Sequence, residues 1–300
     1  MRDIKDVIIN GGITLEEILD KHEKWLKHKE DGEKADLSGV DLSGVDLSCA
    51  DLSHTNLRKA DLSYTNLNEA DLSSTNLCEA NLKGADLINA NLSHTDLRKA
   101  DLSYTSLNGT DLSYANLCEV DLNDSYLDNT NLKHADLAKS NLRNTTLYYA
   151  NLNHAQLTDA DLTNADLSYA NLMGANLQLA ILDNVRYNEC TSFFALQCPE
   201  KGSFIGYKKS RGKIVELLIT EDAKRSNATT RKCRCSKAKV LSITNVSNTK
   251  EYDKVHSDFD YSFIYRIGEI VEVKDFDEDR WVECSTGIHF FLTRDEAVRY

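Results

Sequence analysis

Proline is almost absent: Pro199 is the only one in 300 residues. Proline lacks a backbone N–H and interrupts hydrogen-bonded ladders, so residues 1–198 carry no such break. Nowhere are 18 consecutive residues apolar, so no transmembrane helix and no membrane partner are expected. No apolar core of a signal peptide follows Met1-Arg2-Asp3-Ile4-Lys5-Asp6. With eight cysteines, that lack points to a reducing, cytoplasmic setting. There is no Gly-rich phosphate loop, no Gly-x-Ser-x-Gly and no His-Glu-x-x-His. No cofactor is therefore expected.

What the chain does have is a leucine every five residues, thirty times without exception, from Leu37 to Leu182. A period of five is neither the 3.6 of a helix nor the 2 of a flat strand, and a local repeat of this length dictates a solenoid. Two positions before each leucine stands Ala, Thr, Ser or Val. One position before stands, nearly always, Asp or Asn. The two following positions vary widely, as in Ala35-Asp36-Leu37-Ser38-Gly39 and Val40-Asp41-Leu42-Ser43-Gly44. Only the inward-facing positions of such a unit need be restricted in size.

This pattern resembles the pentapeptide-repeat family. The resemblance implies a mainly β chain: a right-handed quadrilateral β-helix over 35–190, with four pentapeptides per coil and the leucine and the small residue pointing inward. An N-terminal cap occupies 1–34 and a small α+β domain 200–300. The 150 residues from 35 to 184 would make 7.5 coils, a rod about 36 Å long at the ~4.8 Å spacing of stacked strands. Each coil would pack only on its neighbours.

Counting by twenties turns the repeats into surface columns. One column alternates in sign: Lys59, Glu79, Lys99, Glu119, Lys139, Asp159, a favourable pairing between neighbouring strands and a device for register. Another runs His54, Ser74, His94, Tyr114, His134, His154, where His134 and His154 on adjacent coils are candidates for a metal site. A forty-residue duplication, 53–68 against 93–108, accounts for His54 and His94 without function. Cys78 and Cys118, two coils apart, are too distant for a disulfide.

The ends of an open β-helix need covering. Thr14-Leu15-Glu16-Glu17 is a capping box opening a helix over about 15–29. His22 and Trp25 then read as cap packing, and Gly32 as the turn into the rod. At the other end Phe193, Phe194 and Leu196 are available to plug the last coil.

Charge is unevenly spread. Residues 1–34 carry −2, the repeats −13 and residues 185–300 +2, together the −13 of the whole chain. An acidic rod resists end-to-end stacking, and it is an unfavourable surface for nucleic acid. Family members that act on DNA gyrase by imitating DNA supply the competing reading.

Strand candidates in the last third are 204–208, 213–219, 239–244, 261–265, 270–273 and 287–292, followed by a second capping box, Thr293-Arg294-Asp295-Glu296. Gly206-Tyr207-Lys208, Arg231-Lys232-Cys233-Arg234 and Cys284-Ser285-Thr286-Gly287-Ile288-His289 resemble an uncharacterised domain that follows pentapeptide repeats. Residues 201–239 hold twelve Lys/Arg against three acids. Lys208, Lys209, Arg211, Arg231, Lys232 and Arg234 are thus candidates for binding a partner, or the protein's own acidic rod. Cys233, Cys284 and His289 are the only candidates for a nucleophile–base pair, and alternation places His289 opposite Ile288 and Phe290. The leading expectation is a non-enzymatic scaffold with an unknown protein partner, monomeric or homodimeric. The rivals are a gyrase-directed DNA mimic and a Cys/His enzyme in the C-terminal domain.

Overall fold

Each leucine opens a turn, and the turns build the solenoid. The carbonyl of Leu37 accepts the N–H of Val40 at 3.2 Å, and that of Leu57 the N–H of Ala60 at 3.0 Å. The third residue of these turns is left-handed: φ is 61° at Lys59, 61° at Glu79 and 59° at Asn129. A side chain branched at Cβ is strongly disfavoured there. The thirty positions two after a leucine contain no Val, Ile or Thr. That exclusion is a sequence signature of the corner which the apparent freedom of the position conceals.

Four such turns close a coil of twenty residues. Parallel bridges join residues twenty apart, from Asp36–Asn56 to Asp166–Arg186. The final bridge, Asn171–Ser192, spans twenty-one, so one extra residue enters beyond the leucine row. The computed structural model describes residues 2–9, 12–194, 198–199, 201–282 and 285–300, in two units, Met1–Ser192 and Phe193–Tyr300.

The core of the first unit is the leucine row itself. Every member from Leu37 to Leu177 is buried, whereas Leu182 is only half-buried. Burying one leucine is worth ~1.5–3 kcal/mol as an upper bound. Threonine at the small position is tolerated because its hydroxyl donates to a leucine carbonyl one coil earlier: Thr65 to Leu42 at 2.8 Å, Thr130 to Leu107 at 2.9 Å. The Asp/Asn position has two tasks. Its Oδ1 accepts the N–H two residues on, as Asp61 does from Ser63 at 3.0 Å. Asn56 and Asn66 also donate from Nδ2 to Asp36 and Asp46 one coil earlier, each at 2.9 Å. Side-chain turns of this kind are the speciality of Asp and Asn.

The N-terminal cap forms as its capping box requires. Helix α1 (Leu15–Leu26) has Thr14 as N-cap, with both reciprocal bonds to Glu17 in place. It ends sooner than its apolar spacing suggests, because His28 turns left-handed at φ 52°. Leu15 and His22 are fully buried. His22 Nε2 lies 2.9 Å from the Ser53 carbonyl, and Nδ1 accepts the Ala35 N–H at 3.2 Å, which assigns a neutral ring protonated on Nε2. Trp25 stacks on His22 with centroids 5.6 Å apart. Gly32 lies so close to this helix that a Cβ would come within 2.4 Å of the Trp25 backbone nitrogen. Two short strands, β1 (Ile8–Ile9) and β2 (Ile13–Thr14), pair antiparallel before the helix. Arg2 then adds a rung to the first coils: its N–H donates to Gly44 and its carbonyl accepts from Asp46. Pairing of this kind covers an open strand edge.

The second unit is an α+β domain. Its larger sheet, all antiparallel, runs β10 (Ile270–Glu272), β7 (Lys237–Asn245), β4 (Lys213–Ile219), β3 (Phe204–Ser210). A smaller sheet runs β11 (Ile288–Phe290), β6 (Cys233–Cys235), β5 (Arg225–Asn227), and β8 (Lys254–His256) pairs with β9 (Ile264–Arg266). Reciprocal bonds between Tyr207 and Phe291, 2.8 and 2.7 Å, tie the two sheets together. Gly206 leaves room there for Phe290, whose ring would lie 2.5 Å from a Cβ. The closing helix α2 (Arg294–Arg299) is capped by Thr293 and Glu296. Phe194 is used within this unit, where its ring packs against Trp281 at 5.6 Å. Leu196 lies outside the described residues.

Candidate functional site

The rod presents its columns in fixed register. In the charge ladder, Lys59 meets Glu79 at 3.2 Å and Lys99 meets Glu119 at 3.5 Å, while Arg58 also reaches Glu79. Among the described residues no ion pair joins Lys139 to Asp159, so the column is a pair of couples rather than a continuous ladder. The paired side chains are well exposed, and such pairs are individually weak.

The histidine line is an aromatic stack. His94, Tyr114, His134 and His154 follow one another with centroids 5.0, 4.8 and 5.2 Å apart and interplanar angles of 6°, 21° and 6°. His154 ends over Gly174, where a Cβ would lie 2.4 Å from its Nδ1. Parallel rings pack face on face and do not aim their nitrogens at a common point, as a tetrahedral metal requires. Among the described residues no group of three His, Cys, Asp or Glu side chains could hold a metal ion. His134 and His154 are thus brought together, but as a stack.

A second aromatic group was not singled out by column counting. Tyr148, Tyr149 and Tyr169 form a cluster with centroids 4.7–4.9 Å apart. Tyr149 is 53% exposed and Tyr148 38%. The signal available in the sequence was Tyr148-Tyr149 with Tyr169 twenty residues later.

In the C-terminal unit the candidates separate by face. Across β6 and β11, Cys233 pairs with Phe290 and Arg234 with His289. Neighbouring strand residues point to opposite faces, so Cys233 and His289 make no nucleophile–base pair. Cys233 is fully buried, its thiol driven up by its hydrogen bond with Cys198 and by desolvation. Burial likewise pushes the Cys235 thiol up to about 12. Thiols held protonated are poor nucleophiles. Cys284 lies outside the described residues.

Arg234 is no surface contact either. It is 1% exposed, donates to the Thr286 carbonyl at 3.3 Å and the Asp279 carbonyl at 2.7 Å, and stacks on Phe276. Its place in a basic run concealed a structural guanidinium. Arg231 pairs with Glu296 at 2.7 Å, and Lys209 donates to the Val298 carbonyl at 3.1 Å. Arg211 lies over the Tyr261 ring at 5.1 Å.

Lys208, Lys232 and His289 do converge. They line a cavity of about 770 Å³, and a smaller hollow of about 300 Å³ shares the same three residues with Phe259 and Tyr300. Burial pushes the Lys208 ammonium down, with Lys232 adding to the shift and Asp258 opposing it. Burial, then Lys232, Lys208 and Arg234, hold the His289 imidazole at about 4, against a smaller opposing effect of the Ser285 backbone. His289 Nε2 is buried without a hydrogen-bond partner among the described residues. The alternation expected of β11 holds: Ile288 and Phe290 are in the core and His289 is on the cavity face.

Comparison with known proteins agrees with this division of the chain. Pentapeptide repeats, eight copies, match residues 35–73, 65–103, 105–144, 125–164 and 140–178. A family of unknown function (DUF5758) matches residues 194–297. No match is found among the curated proteins. Among solved structures, the chain is similar to QnrB1, a plasmid-mediated fluoroquinolone resistance protein, at 21% identity, 52% coverage of this chain, 84% of that one and TM-score 0.41. It is also similar to HetL, a pentapeptide repeat protein involved in heterocyst differentiation regulation from the cyanobacterium Nostoc sp. strain PCC 7120. There the identity is 34%, with 51% of this chain and 82% of that one covered, at TM-score 0.24. The chain belongs to the pentapeptide-repeat proteins and carries, after its repeats, a domain of the DUF5758 family.

Proposed function

We propose that the chain is a non-enzymatic scaffold, a right-handed quadrilateral β-helix that docks a protein partner on its tyrosine-bearing wall in a reducing, cytoplasmic setting. The observation that carries this reading is the cluster in which the exposed Tyr148 and Tyr149 pack on the half-buried Tyr169. Tyrosines are enriched where proteins bind one another, because they offer a large contact area at small entropic cost. Here hydrogen-bonded coils already fix their backbone, which lowers the ordering cost of binding. The rod's charge of −13 favours a partner with a basic surface. A photo-crosslinking side chain at position 149 should capture that partner, and one at position 139, half a coil away, should not. Equal capture from both positions would discard the proposal.

The same charge favours a second reading, imitation of DNA toward gyrase. Against it, the carboxylates form no unbroken row: one column runs Asp41, Asp61, Asn81, Asp101, Asp121, Asn141, Asp161. A gyrase supercoiling assay unaffected by micromolar protein would remove this reading.

A further inference from the structure

The cavity of the C-terminal unit has a polarity that the scaffold reading does not use. Lys208 from β3, Lys232 from the segment before β6 and His289 from β11 line both the cavity and the smaller hollow. Phe259, Phe263 and Tyr265 contribute to the walls, and Asp260, Glu272 and Asp275 to the lining, while Asp258 lines the smaller hollow. We propose that this cavity binds a small molecule carrying a terminal phosphate, with the phosphate seated among Lys208, Lys232 and His289.

Three observations support the assignment. The Lys208 ammonium makes no hydrogen bond or ion pair among the described residues, although the residue is half-buried, and burial outweighs the opposing charge of Asp258. A cation so placed is costly until an anion joins it. His289 presents a buried, unpartnered ring nitrogen to the same space. Lys232, Lys208 and Arg234 all place positive charge near this histidine. An anion gives Lys208 and His289 the partner they lack, and as phosphate approaches it favours protonation of His289, which then becomes a donor. Donors arriving from three separate elements suit a group with three terminal oxygens better than the two of a carboxylate. Finally, Phe259 stands 90% exposed at the rim. A volume of about 770 Å³ lies in the range of small-molecule sites, and an aromatic body would find partners in Phe259 and Phe263.

Phenyl phosphate titrated into the full chain, with labelled histidine rings followed by nuclear magnetic resonance, tests the proposal. The His289 ring resonances should move and saturate. Lys208→Met should weaken binding by about tenfold or more, the loss of one charge-assisted bond, and Lys208→Arg should largely restore it. Benzoate should bind at least about tenfold more weakly than phenyl phosphate. The proposal falls if millimolar phenyl phosphate leaves His289 unmoved, if Lys208→Met binds as wild type while folded, or if benzoate binds equally well.

Discussion

Asn129 isolates the corner on which the rod depends. It is exposed, its φ is 59°, and its N–H donates to the Tyr148 carbonyl at 2.8 Å. Among the described residues its side chain makes no hydrogen bond, so the effect of a replacement is dominated by the backbone. Left-handed φ costs an ordinary residue ~1–2 kcal/mol, less for Asn and nothing for Gly. Branching at Cβ raises that cost. Asn129→Gly should therefore be near neutral, and Asn129→Val should be about 2 kcal/mol less stable than Asn129→Gly. Because solenoids need not unfold in one step, the suitable assay is native-state hydrogen exchange. The amides to follow are those of residue 129 and of Thr130, which donates to Leu127 at 3.2 Å. Valine and glycine variants equal within about 0.5 kcal/mol, the spread of a neutral surface change, would refute the reasoning.

Thr130→Val keeps shape but removes the hydroxyl bond to Leu107, and should destabilise its coil by about 1 kcal/mol in the same exchange experiment. His22 is held neutral by burial, its pKa lowered from 6.5. Its contribution to stability is therefore complete above that value and lost as pH falls from it toward the depressed folded value. Urea midpoints should drop between pH 7 and pH 5, and His22→Gln should flatten that slope. Alkylation followed by mass spectrometry should label the exposed Cys49 and Cys190 quickly. The buried Cys198, Cys233 and Cys235 should react slowly in the native protein; fast labelling of Cys233 would revive a cysteine nucleophile.

The period of five carried nearly all of the rod, because its contacts recur at fixed separations: two or three residues within a turn, and about one coil, 19 to 23 residues, between turns. Capping boxes at Thr14 and Thr293 were equally legible, since each is complete within four residues. Strand β4 matched its apolar run from Lys213 to Ile219. What escaped was non-local. Strands β5, β6 and β8 are three residues long and exist only through their partners. Arg234 looked like surface because its acceptors, Asp279 and Thr286, lie about fifty residues onward. The cavity that unites Lys208, Lys232 and His289 needed the pairing of β6 with β11 and the Tyr207–Phe291 bridge to become visible.

The central claim is that the tyrosine wall is the binding surface. It is tested most directly by comparing, quantitatively, the proteins retained by the wild-type chain and by a folded Tyr148→Ser/Tyr149→Ser variant. A partner retained by the wild type and lost from the variant, but kept by Lys139→Ala, is the predicted result. An unchanged set of partners on the variant would contradict the account.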